Sequence, residues 1–346
     1  MNDSIFRTSL RTFFVALFGI AGIVVGFVLI LALIGIVTTA TEAEPQINYT
    51  FTPEIMPNAQ GVRKSLSEDA PVVLKVNIDG FIGIDSLTSE HIVKLLIESR
   101  ERTLADNRVK AILLHINSPG GIVVEADGIY RALLAYKEQY KTPIYAYVDG
   151  LCASGGVYIA AAADMVYAND TSLIGSVGVV LSPMFNFSQL MEKVGVQSMT
   201  LSDGKDKDVL NPYRPWKTGE ENNIKATITY YYDAFLTIVT KARPRLDRTK
   251  LVNEYGADVF PAPLAKEYGY IDVSGANYSQ TLTALVNKIG IEDDFYQVIE
   301  LSSKNWVSEL FKSHSNLLQG TVVHRIDLGP EFHPQLMNQY LYLYRP

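Results

Sequence analysis

The sequence predicts an α/β domain behind an N-terminal transmembrane helix. Three observations lead there: an uncharged apolar run near the start, short β-branched runs alternating with amphipathic stretches from residue 71, and glycine-rich turns closing several of those runs. Residues 12–41 carry no charge, and residues 13–37 are almost wholly aliphatic or aromatic. As a helix those residues would span about 37 Å, enough for a hydrocarbon core of about 30 Å. Arg7 and Arg11 precede the run and Glu42 and Glu44 follow it. The positive-inside rule then places residues 1–12 in the cytoplasm and the rest of the chain outside, on a single-pass anchor over 13–38 in the cell (inner) membrane. The alternative is a cleaved signal peptide ending at the small residues Thr38-Thr39-Ala40, but the apolar core exceeds the usual length of such a peptide.

Residues 39–70 mix Glu, Pro, Asn, Thr and Ser without apolar period and read as a linker. From residue 71 the elements follow one another. Residues 72–78 are a β-branched strand closed by Asp79-Gly80, and Thr88 precedes a helix with Ile92, Leu95 and Leu96 on one face. A second strand, 109–116, runs into Asn117-Ser118-Pro119-Gly120-Gly121. Residues 125–140 have helical period through Ile129, Leu133 and Leu134. A third strand, 143–148, ends at Asp149-Gly150, a small-residue helix covers 156–163, and a fourth strand covers 165–168. This rhythm implies parallel strands with right-handed crossovers, and strands this continuously apolar fit a sheet covered on both faces. Residues 218–243 read as a long helix and 247–269 as two short ones. The domain is expected over 71–275, with 276–346 a less regular extension of unknown role.

Composition narrows the chemistry. Acidic residues outnumber basic ones 37 to 30, for a net charge of −7, which speaks against a nucleic-acid partner. One cysteine excludes an internal disulfide framework and a multi-cysteine metal site. In an open α/β sheet, function sits at the carboxyl ends of the strands, and two loops stand out there. Gly120-Gly121 leaves backbone amides free of side-chain bulk, as an oxyanion site needs. In Cys152-Ala153-Ser154-Gly155-Gly156, Ser154 begins a helix after a sharp turn, either as a nucleophile or simply as an N-cap. None of His91, His115, His314, His324 and His333 is followed by a convincing Asp partner in a strand-end loop, so the sequence does not single out a Ser-His-Asp triad. Lysine can serve instead as the base when burial removes its charge. Lys205 and Lys207 are candidates, in a loop that reads equally as a solvated charge cluster.

Taken together, Asn117-Ser-Pro-Gly-Gly121, Ala153-Ser-Gly-Gly156, Gly175-Ser-Val-Gly178 and Gly204-x-x-Lys207-Asp208 resemble the signal peptide peptidase A (protease IV) family of Ser–Lys serine peptidases, in its half-length form. Val259-Phe260, Ala265 and Gly269-Tyr-Ile-Asp272 are similar to that family's closing segment. The resemblance implies a spiral of ββα units as in the ClpP/crotonase superfamily, with a Ser–Lys dyad of Ser154 as nucleophile and Lys207 as general base. It implies an oxyanion hole from Gly121 and the Ser154 amide, and Ser176 as the hydroxyl that positions the lysine. It also implies a homo-oligomeric ring whose neighbouring subunits complete each site, and no metal or other cofactor. The expected activity is endopeptidase hydrolysis of residual signal peptides and other hydrophobic segments near the membrane. Two other readings remain: an inactive membrane scaffold of the same fold, and a crotonase-type acyl-CoA enzyme, neither of which needs the Ser154–Lys207 pair. No role for Cys152 follows from the resemblance.

Overall fold

Alternation of side chains along the central strands decides the architecture, because both faces of those strands are apolar. The computed structural model describes residues 15, 17–19, 51–291, 294–303 and 339–344. In chain order the elements are β1 (Phe51–Met56), β2 (Val72–Ile82), α1 (Ser89–Glu98), β3 (Val109–Ile122), α2 (Val123–Tyr140) and β4 (Ile144–Ala153). Then come α3 (Gly155–Ala160), β5 (Met165–Ala168), β6 (Leu173–Gly175), β7 (Val180–Leu181), α4 (Ser188–Lys193) and α5 (Asn222–Ala242). β8 (Val259–Pro261), α6 (Ala262–Tyr268), α7 (Tyr278–Lys288), β9 (Gln297–Ser303) and β10 (Tyr340–Leu343) complete the series.

Among the described residues the strands form one sheet in the order β1-β9-β2-β3-β4-β6-β8, with β5 beside β4 and β10 bridging β3 and β7. β9, β2, β3, β4 and β6 run parallel, while β1, β8 and β10 are antiparallel to their neighbours. The α/β class expected from the sequence is therefore observed. Leu74, Val76 and Ile78 of β2 and Ile112, Leu114 and Ile116 of β3 point to one face, where Ile92, Leu95, Ile129, Leu133, Ile159, Phe235 and Val239 of the helices cover them. The intervening Val73, Ala111, Leu113, Tyr145 and Tyr147 point to the other face, covered by Leu282, Leu285 and Val286 of α7. Burying each large aliphatic side chain contributes about 1.5–3 kcal/mol, so this two-sided burial is the main stabilising term. Local signals set the helix ends: the Thr88 hydroxyl accepts the His91 amide at 3.2 Å, and Asn277 and Gln280 form a reciprocal capping box.

Several boundaries differ from the expected ones, for physical reasons. β3 does not stop at Ile116 but shifts register and continues through the glycines, pairing Ile82 with Gly121. A side chain there would force the strands apart, because a Cβ on Gly121 would lie 2.0 Å from the Ile82 carbonyl oxygen. β4 likewise continues through Asp149-Gly150 to Ala153. The chain divides into the units Met1–Asn48 and Tyr49–Pro346. β1, which lies in the expected linker, pairs with β9, and α7, β9 and β10, beyond residue 275, belong to the same sheet and cores.

The expected transmembrane helix over 13–38 is corrected. Among the described residues, no helix is long and apolar enough to cross a membrane. A span needs about 20 consecutive apolar helical residues. Of this stretch only Val15, Leu17, Phe18 and Gly19 are described; the remainder, with residues 1–12 and 39–50, lies outside the described residues. Hydropathy alone does not supply the helical continuity that a span requires. The single-pass topology, the membrane as a partner and the inner-membrane localisation with an extracytoplasmic domain are therefore not retained.

Candidate active site

Ser154 is where the sequence places it and is held in a conformation that needs enforcement. It sits between the end of β4 and the start of α3 with φ 54° and ψ −113°. A non-glycine residue in that region costs on the order of 1–3 kcal/mol and persists only where its surroundings impose it. Here two constraints do so. Its amide donates to the Gly175 carbonyl at 2.8 Å, and the Tyr158 amide donates back to the Ser154 carbonyl at 3.1 Å. The residue is 1% exposed, yet its Oγ has no hydrogen-bond partner. A buried hydroxyl left unpaired costs about 1–3 kcal/mol and calls for an explanation. The Ser154 side chain is no N-cap either, since it makes no capping hydrogen bond.

The glycine loop of β3 packs directly against this residue. Gly120 has φ 100°, and a Cβ there would lie 2.8 Å from the Gly155 amide nitrogen. The Ser118 hydroxyl fixes the loop from below, accepting the Gly120 amide at 3.1 Å and donating to the Gly80 carbonyl at 2.6 Å. The structure modifies one expectation here. The Ser154 amide, expected to join Gly121 in an oxyanion hole, is already engaged with Gly175. The amide beside the loop is that of Gly155, the first residue of α3, where no intrahelical acceptor exists. Which of the two adjacent amides lies beside the loop is set by the turn geometry, which the sequence alone does not give.

Ser176 follows β6, whose Gly175 pairs with Ala153, so Ser154 and Ser176 follow paired residues of neighbouring strands. Ser176 is buried, with φ 57°, and its amide donates to the Asp258 carbonyl at 2.6 Å. Gly121, Ser154 and Ser176 are thus brought to the same end of the sheet. Lys207 is not brought to Ser154. It stands exposed in a turn closed by its amide on the Gly204 carbonyl at 3.3 Å. There it lines a surface cavity of about 410 Å³ with Asp206, Asp208, Arg214, Lys217 and Glu220. Asp208 accepts Arg214 Nε and Asn211 Nδ2, both at 2.6 Å, and these bonds hold its carboxyl below the usual range. The preceding segment is apolar and uncovered, with Phe185, Leu190, Val194, Met199 and Leu201 exposed, and no residue of α4 is buried.

The remaining candidates fall away on geometry. His115 lies 3.7 Å from Asp149, and burial together with Lys75 pushes its pKa down. The pair lines a cavity of about 610 Å³ with Lys75, Asn77 and Glu300, and Ser154 is not in its lining. His91 is buried against Phe51, and His314, His324 and His333 lie outside the described residues. Burial pushes the Cys152 thiol up to about 12, so it is not a thiolate at neutral pH. Among the described residues, no group of three or more His, Cys, Asp or Glu is placed to hold a metal ion.

Comparison with known proteins finds peptidases. Residues 136–292 match Peptidase family S49. A putative signal peptide peptidase SppA of Enterococcus faecium is 34% identical over 172 residues, covering 49% of this chain and 48% of its own. A putative protease of a Synechocystis strain is 32% identical over 203 residues, covering 59% of this chain and 69% of its own. The chain spans about half the length, or less, of most of the curated relatives it matches. Among solved structures, a point mutant of ClpP1 from Listeria monocytogenes aligns at 18% identity with a TM-score of 0.40, covering 62% of this chain and 96% of that one. That score is below the level at which a common fold is inferred.

Proposed function

Because the chain belongs to peptidase family S49, we propose that it is a serine endopeptidase with Ser154 as nucleophile and Lys207 as general base. The observation that carries this reading is the state of Ser154: a strained φ of 54° and a buried Oγ without a partner, against a glycine loop that admits no side chain. Such a hydroxyl is prepared to attack a carbonyl, and the amides of Gly121 and Gly155 are the donors suited to the resulting oxyanion. Lysine takes the serine proton and passes it to the departing amine as the acyl-enzyme forms; neutral again, the same lysine takes a proton from the water that attacks the ester and returns it to the serine. A lysine serves as base only when desolvated, so Lys207 must be covered before it acts.

What covers it, on this reading, is a second copy of the chain. The exposed apolar segment before Lys207 is the kind of surface that marks a protein–protein contact. Docking there would bury the segment, carry Lys207 to the serine of a neighbour, and leave Ser176 to aim the neutral amine. The substrates are extended peptides; the Enterococcus relative, named a putative signal peptide peptidase, suggests signal-peptide remnants and similar apolar segments. A fluorophosphonate probe tests the nucleophile directly. It should label the protein once, on Ser154, and the label should vanish in Ser154→Ala. A protein that turns over peptides but labels elsewhere, or a Ser154→Ala protein that keeps its activity, would refute the assignment.

A further inference from the structure

In the segment Asn117-Ser118-Pro119-Gly120-Gly121, the oxyanion chemistry uses the glycines and leaves Asn117 and Ser118 without a role. Both sit where the ladders on either side of β3 lose register. Towards β2, Asp79 lies opposite Asn117 and Phe81 opposite Gly120, so two steps along β2 match three along β3. Towards β4, Ile116 lies opposite Val148 and Ser118 opposite Cys152, so two steps along β3 match four along β4. The extra residues interrupt the regular ladder at the glycine loop and at Asp149-Gly150-Leu151. Buried backbone groups left over at such a break need other partners.

Side chains of β3 supply them. Ser118 is buried at 0% exposure. Its hydroxyl donates to the Gly80 carbonyl at 2.6 Å, inside the β2 break, and accepts the Gly120 amide at 3.1 Å. One hydroxyl thus uses its donor and an acceptor site to tie the glycine loop to β2. The Gly120 amide, engaged with Ser118, is withdrawn from the donors that the loop can offer a substrate. Ser118 also meets the other wall of the site, since a Cβ on Gly156 would lie 3.2 Å from the Ser118 carbonyl oxygen. The loop itself adjoins that wall: a Cβ on Gly155 would lie 3.2 Å from Gly120 Cα and 3.3 Å from the Gly121 amide nitrogen. Asn117 bridges both breaks from the exposed side. Its Nδ2 donates to Asp79 Oδ1 at 3.0 Å, and its Oδ1 accepts the Leu151 amide at 3.1 Å.

Resting on the peptidase reading above, we propose that Ser118 is a positioning residue for the oxyanion hole, acting through the Gly120 amide to hold Gly121 beside the first turn of α3. Asn117 is its weaker counterpart, because an exposed side chain exchanges its bonds with water at little net cost. Ser118 touches no substrate atom. Its loss lets the Gly121 amide drift from the place where the oxyanion forms, so it costs transition-state binding and leaves ground-state binding of the peptide as it was.

The test compares the full-length parent with Ser118→Ala and with Ser118→Cys, which keeps the shape with a weaker hydrogen-bonding group. The readouts are kcat and KM on a fluorogenic peptide and Ki for a peptide aldehyde of the same sequence. Ser154 Oγ adds to the aldehyde carbon, and the former carbonyl oxygen then occupies the hole. Ser118→Ala should lower kcat about 10–100-fold, raise Ki by a similar factor, and leave KM within about twofold. Ser118→Cys should move kcat and Ki the same way by less, and so should Asn117→Ala. Ki does not depend on the fraction of molecules that are folded, so a merely structural loss would lower kcat and leave Ki unchanged. That outcome would overturn the proposal, as would kcat and Ki both within about twofold of the parent in the Ser118 variants. If Ser118→Ala does not fold, Ser118→Cys decides by the same two ratios. A parent that turns over the peptide and is inhibited through Ser154 upholds the peptidase reading whatever Ser118 does; one that does neither brings down both.

Discussion

Replacing Gly121 with alanine tests whether the glycine loop of β3 is catalytic as well as structural. The new Cβ would stand 2.0 Å from the Ile82 carbonyl oxygen and 2.7 Å from both the carbonyl carbon and the amide nitrogen of that residue. All three are backbone atoms of a paired strand, so no side chain can rotate away. Real Cβ contacts essentially never fall below 3.0 Å, so β2 and β3 must part by at least 1 Å at this point. Overpacking of this kind costs about 1–3 kcal/mol of stability. The effect on chemistry should be larger in proportion. A shift of about 1 Å in a catalytic group can cost roughly 10²-fold, and loss of one oxyanion donor costs about 10²–10³ in kcat. Gly121→Ala should therefore remain folded, lose about 1–3 kcal/mol in urea unfolding, and lose about 10²–10³ in kcat/KM on a fluorogenic peptide. Its fluorophosphonate reaction should slow in parallel, since that adduct uses the same amides. A variant within threefold of the parent in kcat/KM would show that the loop does not carry the oxyanion.

Three further outcomes are expected. Lys207→Ala should abolish turnover and Lys205→Ala should not, and mixing Lys207→Ala with Ser154→Ala should restore part of the activity; no recovery between subunits shown to exchange would count against a shared site. Arg243, 6% exposed, pairs with Asp272 at 3.0 Å and donates to the Ala160 and Ala163 carbonyls at the far end of α3, so Arg243→Ala should cost about 3 kcal/mol in urea unfolding, and a loss under about 1 kcal/mol would show that the carbonyls find other donors. Burial holds the pKa values of His91 and His115 below the ordinary imidazole value; the stability this represents is full above the unfolded value of about 6.5 and is lost as pH falls through the folded values. Urea midpoints should then drop from pH 7 to pH 5, and by less in His115→Gln; an identical drop in that variant would remove His115 from the account.

How much was legible in the sequence depended on the range of the interaction. The apolar runs of β2, β3 and β4 announced themselves because each side chain is buried by the sheet whichever neighbour supplies the cover. The Thr88 cap spans three residues and needed no tertiary context. Ser154 and the glycine pairs stood out because a strand-to-helix turn that tight restricts residue type locally. The hydropathy of residues 13–37 was equally visible, but an apolar run reports composition and not a spanning helix, and among the described residues there is none.

Other features were decided only in three dimensions. Which of two adjacent amides faces the Gly120 loop depends on the Ser154 amide finding Gly175, more than twenty residues away. β9 and β10 find their partners on β2 and β3 across more than two hundred residues, and four-residue strands such as β10 carry no periodic signal strong enough to specify a partner. The separation of Lys207 from Ser154 is of the same kind: the motif lists both residues, but their distance is set by a loop that Arg214 ties to Asp208 and Glu220 rather than to the nucleophile. The sequence by itself determined the residue types that make a serine nucleophile possible, because strand burial, turns and caps are local physics. The tertiary structure decided which amide lies beside the glycine loop and that Lys207 stands apart from that serine, because those placements rest on chain closures that no local pattern encodes.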